Sequence, residues 1–408
     1  MKRIFEFMKE FISYVLNIIT PSKRNRIYVR CMKNSMWDKY DLLNYGSSNL
    51  LCYLNYYINQ QHSHKIVIYI EYYDDTRFER YKELAQKVIR NNIQLRFIKS
   101  PFITKSRIKK LYYRICNAVC RFSCRLWFSE TGDTAFSGKL WYQKIICFNY
   151  FISCKNDLEP GKNFRWKYID KYLITGLLPA QIISSSTGVR LDHCLISGFP
   201  RNDSLLSQNK RLKILNYYKE KIGYTPQKII IYAPTMRDYE MKQQKKRPLL
   251  GYDCEWLEEY VKDNKILLIY KLHPWQNKDI VTSSINIVPY ISTYEFSFYD
   301  LLAVSDALIS DYSSVVFDYL LTDKPLIFNL YDLEKYCETR GLSYDPYISF
   351  CPGHIATNSK ELKIGFDDVI SNTDKYKNDR KNIRNIIFKY PGLSTQNVYR
   401  SLLDLTEM

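Results

Sequence analysis

The sequence predicts an α/β protein of two doubly wound domains that face a central cleft. Three observations lead there. Short apolar runs of strand composition alternate with helical stretches through the first half, the pattern breaks at the Gly- and Pro-containing turn 197–203, and a second alternating series follows. Such alternation means βαβ units and a mostly parallel sheet, because parallel neighbours need a crossover that is usually a helix. The 408 residues suffice for two domains, and 46% hydrophobic with 25% charged residues is globular composition.

In the first half, residues 49–60 read as a helix, 65–72 (KIVIYIEY) as a strand, 77–91 as a helix and 93–98 as a strand. A helix over 106–122, a strand over 124–129 (CRLWFS) and an apolar run over 144–151 follow. In the second half, strands are expected at 228–232, 266–272, 286–291, 307–310 and 326–330, with helices at 253–262, 298–304 and 313–322 and a mainly helical tail from 360. The boundary falls near residue 205, giving domains 1–205 and 206–408. In such folds ligands bind beyond the carboxyl ends of the strands, so the cleft between the domains is the expected site.

A formal net charge of +18 bears on partners rather than fold. Nucleic acid is set aside, because the chain has no zinc-finger spacing, no aromatic RNP-type strand and no helix-turn-helix pattern. An anionic membrane leaflet and phosphate-bearing substrates remain. The 11 Cys are scattered without regular C-x-x-C pairs, and Cys116, Cys120 and Cys124 have no His nearby, so reduced thiols in a cytosolic compartment and no metal site are expected. The N-terminal stretch carries Ile4, Phe5, Phe7, Met8, Phe11, Ile12, Val15, Leu16, Ile18 and Ile19 at helical spacing, interrupted by Glu6, Lys9 and Glu10. A membrane span needs about 20 apolar residues, and no signal-peptide cleavage site is present. The stretch is either an interfacial helix flanked by Lys23, Arg24 and Arg26, or a helix packed on its own domain. A second basic segment, 105–125, has no acidic residue and an apolar face of Ile108, Leu111, Tyr112, Ile115 and Val119. That combination favours contact with a membrane or an acceptor over a plain solvated face.

Three strand ends in the second half deliver polar groups that would converge. The first runs into Ala233-Pro-Thr-Met-Arg237-Asp238, the second into His273-Pro274, the third into Ser310-Asp311-Tyr312-Ser313-Ser314 at the start of a helix. Free N–H groups and hydroxyls at a helix start favour an anion, although Ser and Asp are also ordinary N-caps. Together with His273 and Arg237 they suggest a phosphate site, in which Arg237 would make bidentate contacts. His273 would donate to a diphosphate or act as an acid/base group. Asp318, one turn on, would accept from a ribose.

The strings YAPTMRD, KLHP, SDYSSVVFDYLLTDKPLIFNLYDLEKY and RGLSYD, with GFPRND at 198–203, resemble the CDP-glycerol glycerophosphotransferase family of teichoic acid primases and polymerases. The likeness is clear over 195–350 and weaker over 35–130. It implies a GT-B-like fold of two Rossmann-like domains. The first domain would be the acceptor and membrane side, and the second the nucleotide-donor side. It implies a CDP-activated polyol phosphate donor, a membrane-linked glycan or polymer acceptor, and no cofactor. It further implies a peripheral place on the cytoplasmic membrane face, in teichoic acid, capsule or surface-polysaccharide synthesis. His273, Arg237, Ser313 and Ser314 would hold the diphosphate and Asp318 the ribose or polyol. Asp238, Ser310, Asp311 and Arg201 would complete the substrate contacts. One departure stands out: the family's Trp-His-Gly motif, whose His is taken as the base, is absent. The stretch 145–155 is the equivalent by position, which puts Tyr150 where the His should be. A Tyr of ordinary pKa near ~10 is a poor base at neutral pH. Either neighbours activate Tyr150, or Glu130 or another carboxylate takes over, or the chemistry differs. Two other readings share the pattern: a GT-B glycosyltransferase using a nucleotide sugar, and a non-catalytic member of the family.

Overall fold

The structure, a computed structural model, describes residues 23–30, 49–60, 66–72, 93–101, 104–130, 139–149, 151–152, 154, 168–237, 248–272, 284–291 and 295–406. The N-terminal stretch read as an amphipathic helix and the helix expected over 77–91 lie outside them.

The first sheet contains β1 (Lys23–Arg30), β2 (Ile66–Tyr72), β3 (Ile93–Lys99), β4 (Cys124–Ser129), β5 (Lys144–Cys147), β6 (Lys171–Ile174) and β7 (Cys194–Ile196), in the order β3-β2-β1-β4-β5-β6-β7. The second contains β8 (Lys228–Tyr232), β9 (Ile266–Tyr270), β10 (Ile287–Pro289), β11 (Ala307–Ser310), β12 (Leu326–Asn329) and β13 (His354–Ala356), in the order β10-β9-β8-β11-β12-β13. Every strand pair in both is parallel. Parallel strands covered on both faces read as continuous apolar runs, and the central KIIIY of β8 and ILLIY of β9 are buried along almost their whole length. Chain order reverses between β1 and β4 in one sheet and between β8 and β11 in the other. At such reversals adjacent crossovers leave on opposite faces and open a crevice at the carboxyl edge.

β1 is a strand the pattern did not announce. Lys23, Arg24 and Arg26 read as following an N-terminal helix, interfacial or packed on its own domain, and 23–30 is the strand at the reversal, paired with both β2 and β4. Its charged first half hides a second half in which Ile27, Tyr28 and Val29 are buried.

The described helices are α1 (Asn49–Gln60), α2 (Arg107–Phe122), α3 (Leu177–Thr187), α4 (Arg211–Ile222), α5 (Leu257–Asp263), α6 (Phe298–Val304), α7 (Val315–Tyr319), α8 (Leu333–Thr339), α9 (Ser359–Ile370), α10 (Lys377–Ile387) and α11 (Ser394–Thr406). The two sheets divide the chain between Ile196 and Lys228, across the 3-10 turn Pro200–Leu206 and α4. The last two helices return to the first sheet's side. Lys389 N donates to Thr175 O (2.9 Å), and the Asp203 carboxylate accepts from the N–H groups of Ser394 (2.8 Å) and Thr395 (2.9 Å), capping α11. The backbone of α10 runs so close to Gly176 that a Cβ there would lie 2.4 Å from Ile387 O, which requires glycine at that position. The tail of the span 206–408 thus packs on both sides: α10 also reaches the second unit, where Arg380 Nη2 donates to Asp323 O (3.2 Å).

Segments beyond the carboxyl ends of the two sheets touch. Ser343 N, beyond α8, donates to Cys154 O, beyond β5 (2.9 Å). Four residues on, Tyr347 Oη donates to Asp311 O (2.6 Å) in the loop after β11. The segment 343–347 thus joins the 145–155 stretch to the Ser310–Ser314 loop.

Candidate donor and acceptor cleft

The loops after β8 and β11 meet at the second sheet's reversal, as expected. What holds them differs from expectation. The Arg237 side chain is fully buried. Its Nε and Nη2 donate to the two oxygens of Asp332 (2.7 and 2.9 Å), and Nη1 donates to Thr235 O (2.7 Å) and lies 2.9 Å from Asp311 Oδ2. The guanidinium also sits over the rings of Tyr312, Tyr331 and Tyr336 at 5.0, 5.5 and 5.2 Å. Burial alone would lower its pKa. The Asp311 carboxylate and the bonds to Asp332 overcome that and hold it above the ordinary guanidinium range. An arginine so enclosed cannot also clamp a phosphate. Arg237 ties together the loops after β8, β11 and β12, and this corrects its assignment as a diphosphate ligand.

Asp311 is spent in the same clasp. Its Oδ1 accepts from the N–H groups of Thr235 (2.8 Å) and Tyr312 (2.6 Å). Ser310 Oγ donates to Ala233 O (2.6 Å) and is fully buried. Both position the loop rather than reach a substrate. Tyr312 stacks on Tyr336 with ring centroids 3.9 Å apart and donates to Asp332 (3.1 Å).

Asp318 and Arg201 are a second correction. Arg201 Nη2 donates to Asp318 Oδ2 (2.8 Å), Asn202 Nδ2 donates to Oδ1 (3.0 Å) and Tyr299 Oη donates to Oδ2 (2.6 Å). The two charged side chains are 2% and 0% exposed, which leaves no room for a ribose or polyol. Burial opposes the charge on Arg201, and Asp318 and Tyr299 more than restore it, so its pKa is raised. The GFPRND turn therefore locks the interdomain connection onto α7. The N–H of Arg201 also donates to Asn49 Oδ1 (3.2 Å), and Asn49 Nδ2 donates to Asn149 O, within the 145–155 stretch.

Ser313 and Ser314 behave differently. They follow the clasp directly, are half-buried, and their hydroxyls make no hydrogen bond to another described residue. Glu130 is buried at the carboxyl end of β4, with its N–H directed at Arg30 O (3.3 Å). His273, Asp238 and Tyr150 lie outside the described residues.

Helix α2 is built inside out. Ser106 caps its start, and Asn117 and Phe122 face inward, with Asn117 Nδ2 donating to Lys99 O (3.1 Å). The apolar stripe faces solvent: Ile108 is 83% exposed, and Leu111, Tyr112, Ile115 and Val119 are exposed as well. The exposed Arg107, Lys109 and Arg114 lie among them.

Comparison with known proteins fits this geometry. Residues 165–404 match the model of the family described as CDP-Glycerol:Poly(glycerophosphate) glycerophosphotransferase. The chain belongs to this family. The match takes in the whole second sheet, both clasps and the returning helices. The teichoic acid glycerol-phosphate primase of Bacillus subtilis (strain 168) is 36% identical over 184 residues, 45% of each chain. The teichoic acid glycerol-phosphate transferase of Staphylococcus aureus (strain NCTC 8325 / PS 47) is 30% identical over 228 residues, 55% of this chain and 56% of that one. The matches thus span about half the length of these relatives. A solved structure of the wall teichoic acid polymerase TagF superposes with a TM-score of 0.70 at 20% identity, covering 100% of this chain and 97% of that one. The fold of the family member is thereby GT-B-like, two parallel α/β domains about a cleft.

Proposed function

We propose that the chain transfers a polyol phosphate, glycerol phosphate or ribitol phosphate, from a CDP-activated donor to a membrane-linked acceptor in teichoic acid or related surface-polymer synthesis. The family match across the second sheet, together with what the relatives are named for, carries this reading. The acceptor hydroxyl oxygen attacks the phosphorus that bears the polyol. A new P–O bond forms, the bond from that phosphorus to the bridging oxygen breaks, and CMP leaves with the electron pair. The hydroxyl proton passes to a base: Glu130 at the end of β4, Tyr150, or another group of the first domain. Ser313 and Ser314 donate to the diphosphate, held in place by the Arg237 clasp, and His273 supplies the further donor. Fixed donors at the site of developing charge are the main catalytic resource in phosphoryl transfer.

Calorimetry tests the donor half. CDP-glycerol or CDP-ribitol binds the wild type, and the double substitution Ser313→Ala/Ser314→Ala weakens binding at least about tenfold, since each lost bond to a charged group is worth about 1.5–3 kcal/mol. Binding of uridine-diphosphate sugars with no binding of either CDP compound would move the reading to sugar transfer.

The same reading places the chain on the cytoplasmic membrane surface through α2. Among the described residues no helix is long and apolar enough to cross a membrane. An exposed apolar stripe among cations suits an anionic bilayer, where each basic residue near the surface contributes about 1 kcal/mol. Sedimentation with phosphatidylglycerol vesicles is expected for the wild type and lost for Lys109→Glu/Lys110→Glu/Arg114→Glu. Equal sedimentation of both proteins would remove α2 from the account.

A further inference from the structure

The donor loops sit at the reversal between β8 and β11. The opposing reversal, between β1 and β4, carries its own charged groups. Arg30 ends β1, Glu71 is its partner in register on β2, and Glu130 follows β4 with its N–H directed at Arg30 O (3.3 Å). Both carboxylates are buried, at 3% and 2% exposure. Glu71 accepts from Tyr28 Oη (2.9 Å) and lies 3.5 Å from Arg30 Nε. Arg121 of α2 brings a second guanidinium near the same pair.

Arg30 is more exposed than the arginines of the two clasps. Arg237 and Arg201 meet their carboxylates at 2.7–2.9 Å with side chains no more than 2% exposed. Arg30 meets Glu71 at the longer distance, and 19% of its side chain is exposed, at the edge where a doubly wound sheet binds its ligand. Two buried carboxylates would repel an anionic acceptor from this crevice, and a reachable guanidinium between the strand ends offsets them.

We infer that Arg30 holds an anionic group of the acceptor, the phosphate one polyol away from the attacking hydroxyl, and so aims that hydroxyl at the donor across the cleft. This rests on the polyol-phosphate reading. A chain already extended by polyol phosphates carries such an anion a fixed few bonds from its terminal hydroxyl. A planar guanidinium recognises it by paired N–H bonds. Arg30 is then a specificity residue for an acceptor that already bears phosphate, and the crevice discriminates against a neutral sugar or free polyol.

The test is acceptor binding without donor, so it does not depend on turnover. A short glycerol-phosphate oligomer with a free terminal hydroxyl is titrated into wild type, Arg30→Gln and Arg30→Lys, with free glycerol as the neutral control. The expected result is oligomer affinity reduced about 10- to 100-fold in Arg30→Gln, as for a lost charge-assisted bond, with partial recovery in Arg30→Lys and unchanged CDP-glycerol affinity. If Arg30→Gln does not fold, Arg30→Gln/Glu71→Gln removes the pair together and supplies the readout. Oligomer affinity within about twofold of wild type in these variants, or a wild type that binds the oligomer no better than glycerol, overturns the inference. Failure of the donor reading would appear separately, as absent CDP-glycerol binding.

Discussion

Replacing Arg237 with Met lowers the stability of the folded chain by about 3–5 kcal/mol, the usual cost of stranding one side of a buried ion pair. Here the substitution leaves two carboxylates, Asp311 and Asp332, without their shared cation, inside a box of three tyrosines. Met nearly conserves volume, so the loss reports charge and hydrogen bonding rather than a cavity. Arg237→Lys keeps the charge but cannot span both carboxylates, and falls between the two. Urea titration of the three proteins measures this. Donor affinity falls as well, because the clasp fixes the loop that carries Ser313 and Ser314. A variant as stable as wild type, with donor affinity alone reduced, would return Arg237 to the role of a phosphate ligand.

Asp318→Asn is expected to cost a similar amount. It removes the charge that Arg201 needs in a site where neither side chain meets solvent. One of the two neutral donors, Tyr299 or Asn202, then faces an amide NH2 in place of the oxygen it bonds, and the interdomain turn's anchor on α7 is weakened. The double substitution Arg201→Met/Asp318→Leu removes both charges at once and should recover most of the loss, since a buried ion pair replaced by apolar groups of similar size is often neutral. Thermal unfolding of the single and double variants, with proteolysis across 197–207, gives the comparison. Full stability of Asp318→Asn together with weakened nucleotide binding would mean that Asp318 contacts the ligand after all.

The two clasps mark where reading the sequence runs out. The strand ends are legible because β8, β9, β11 and β12 are short apolar runs bounded by polar groups, and the polar groups after β8, β11 and β12 do converge. Their roles are not legible. Whether an arginine at a strand end meets a phosphate or a protein carboxylate depends on Asp332, 95 residues further along the chain. Nothing in the spacing of Tyr312, Tyr331 and Tyr336 marks an aromatic box, although all three lie in the string that carries the family resemblance. Asp318, one turn beyond the serines, read as a ribose contact because its partner Arg201 is 117 residues away. β1 was hidden by its charged first half, and the return of α10 and α11 to the first sheet has no local signal. In α2 the amphipathic spacing was plain, but only the fold reveals that the apolar stripe faces outward.

The most direct measurement is CMP release from CDP-glycerol and from CDP-ribitol, with membranes supplying acceptor, for wild type and His273→Ala. The account predicts acceptor-dependent CMP release from at least one donor, abolished in His273→Ala. No release from either donor, with transfer instead from a nucleotide sugar or no turnover at all, would contradict it.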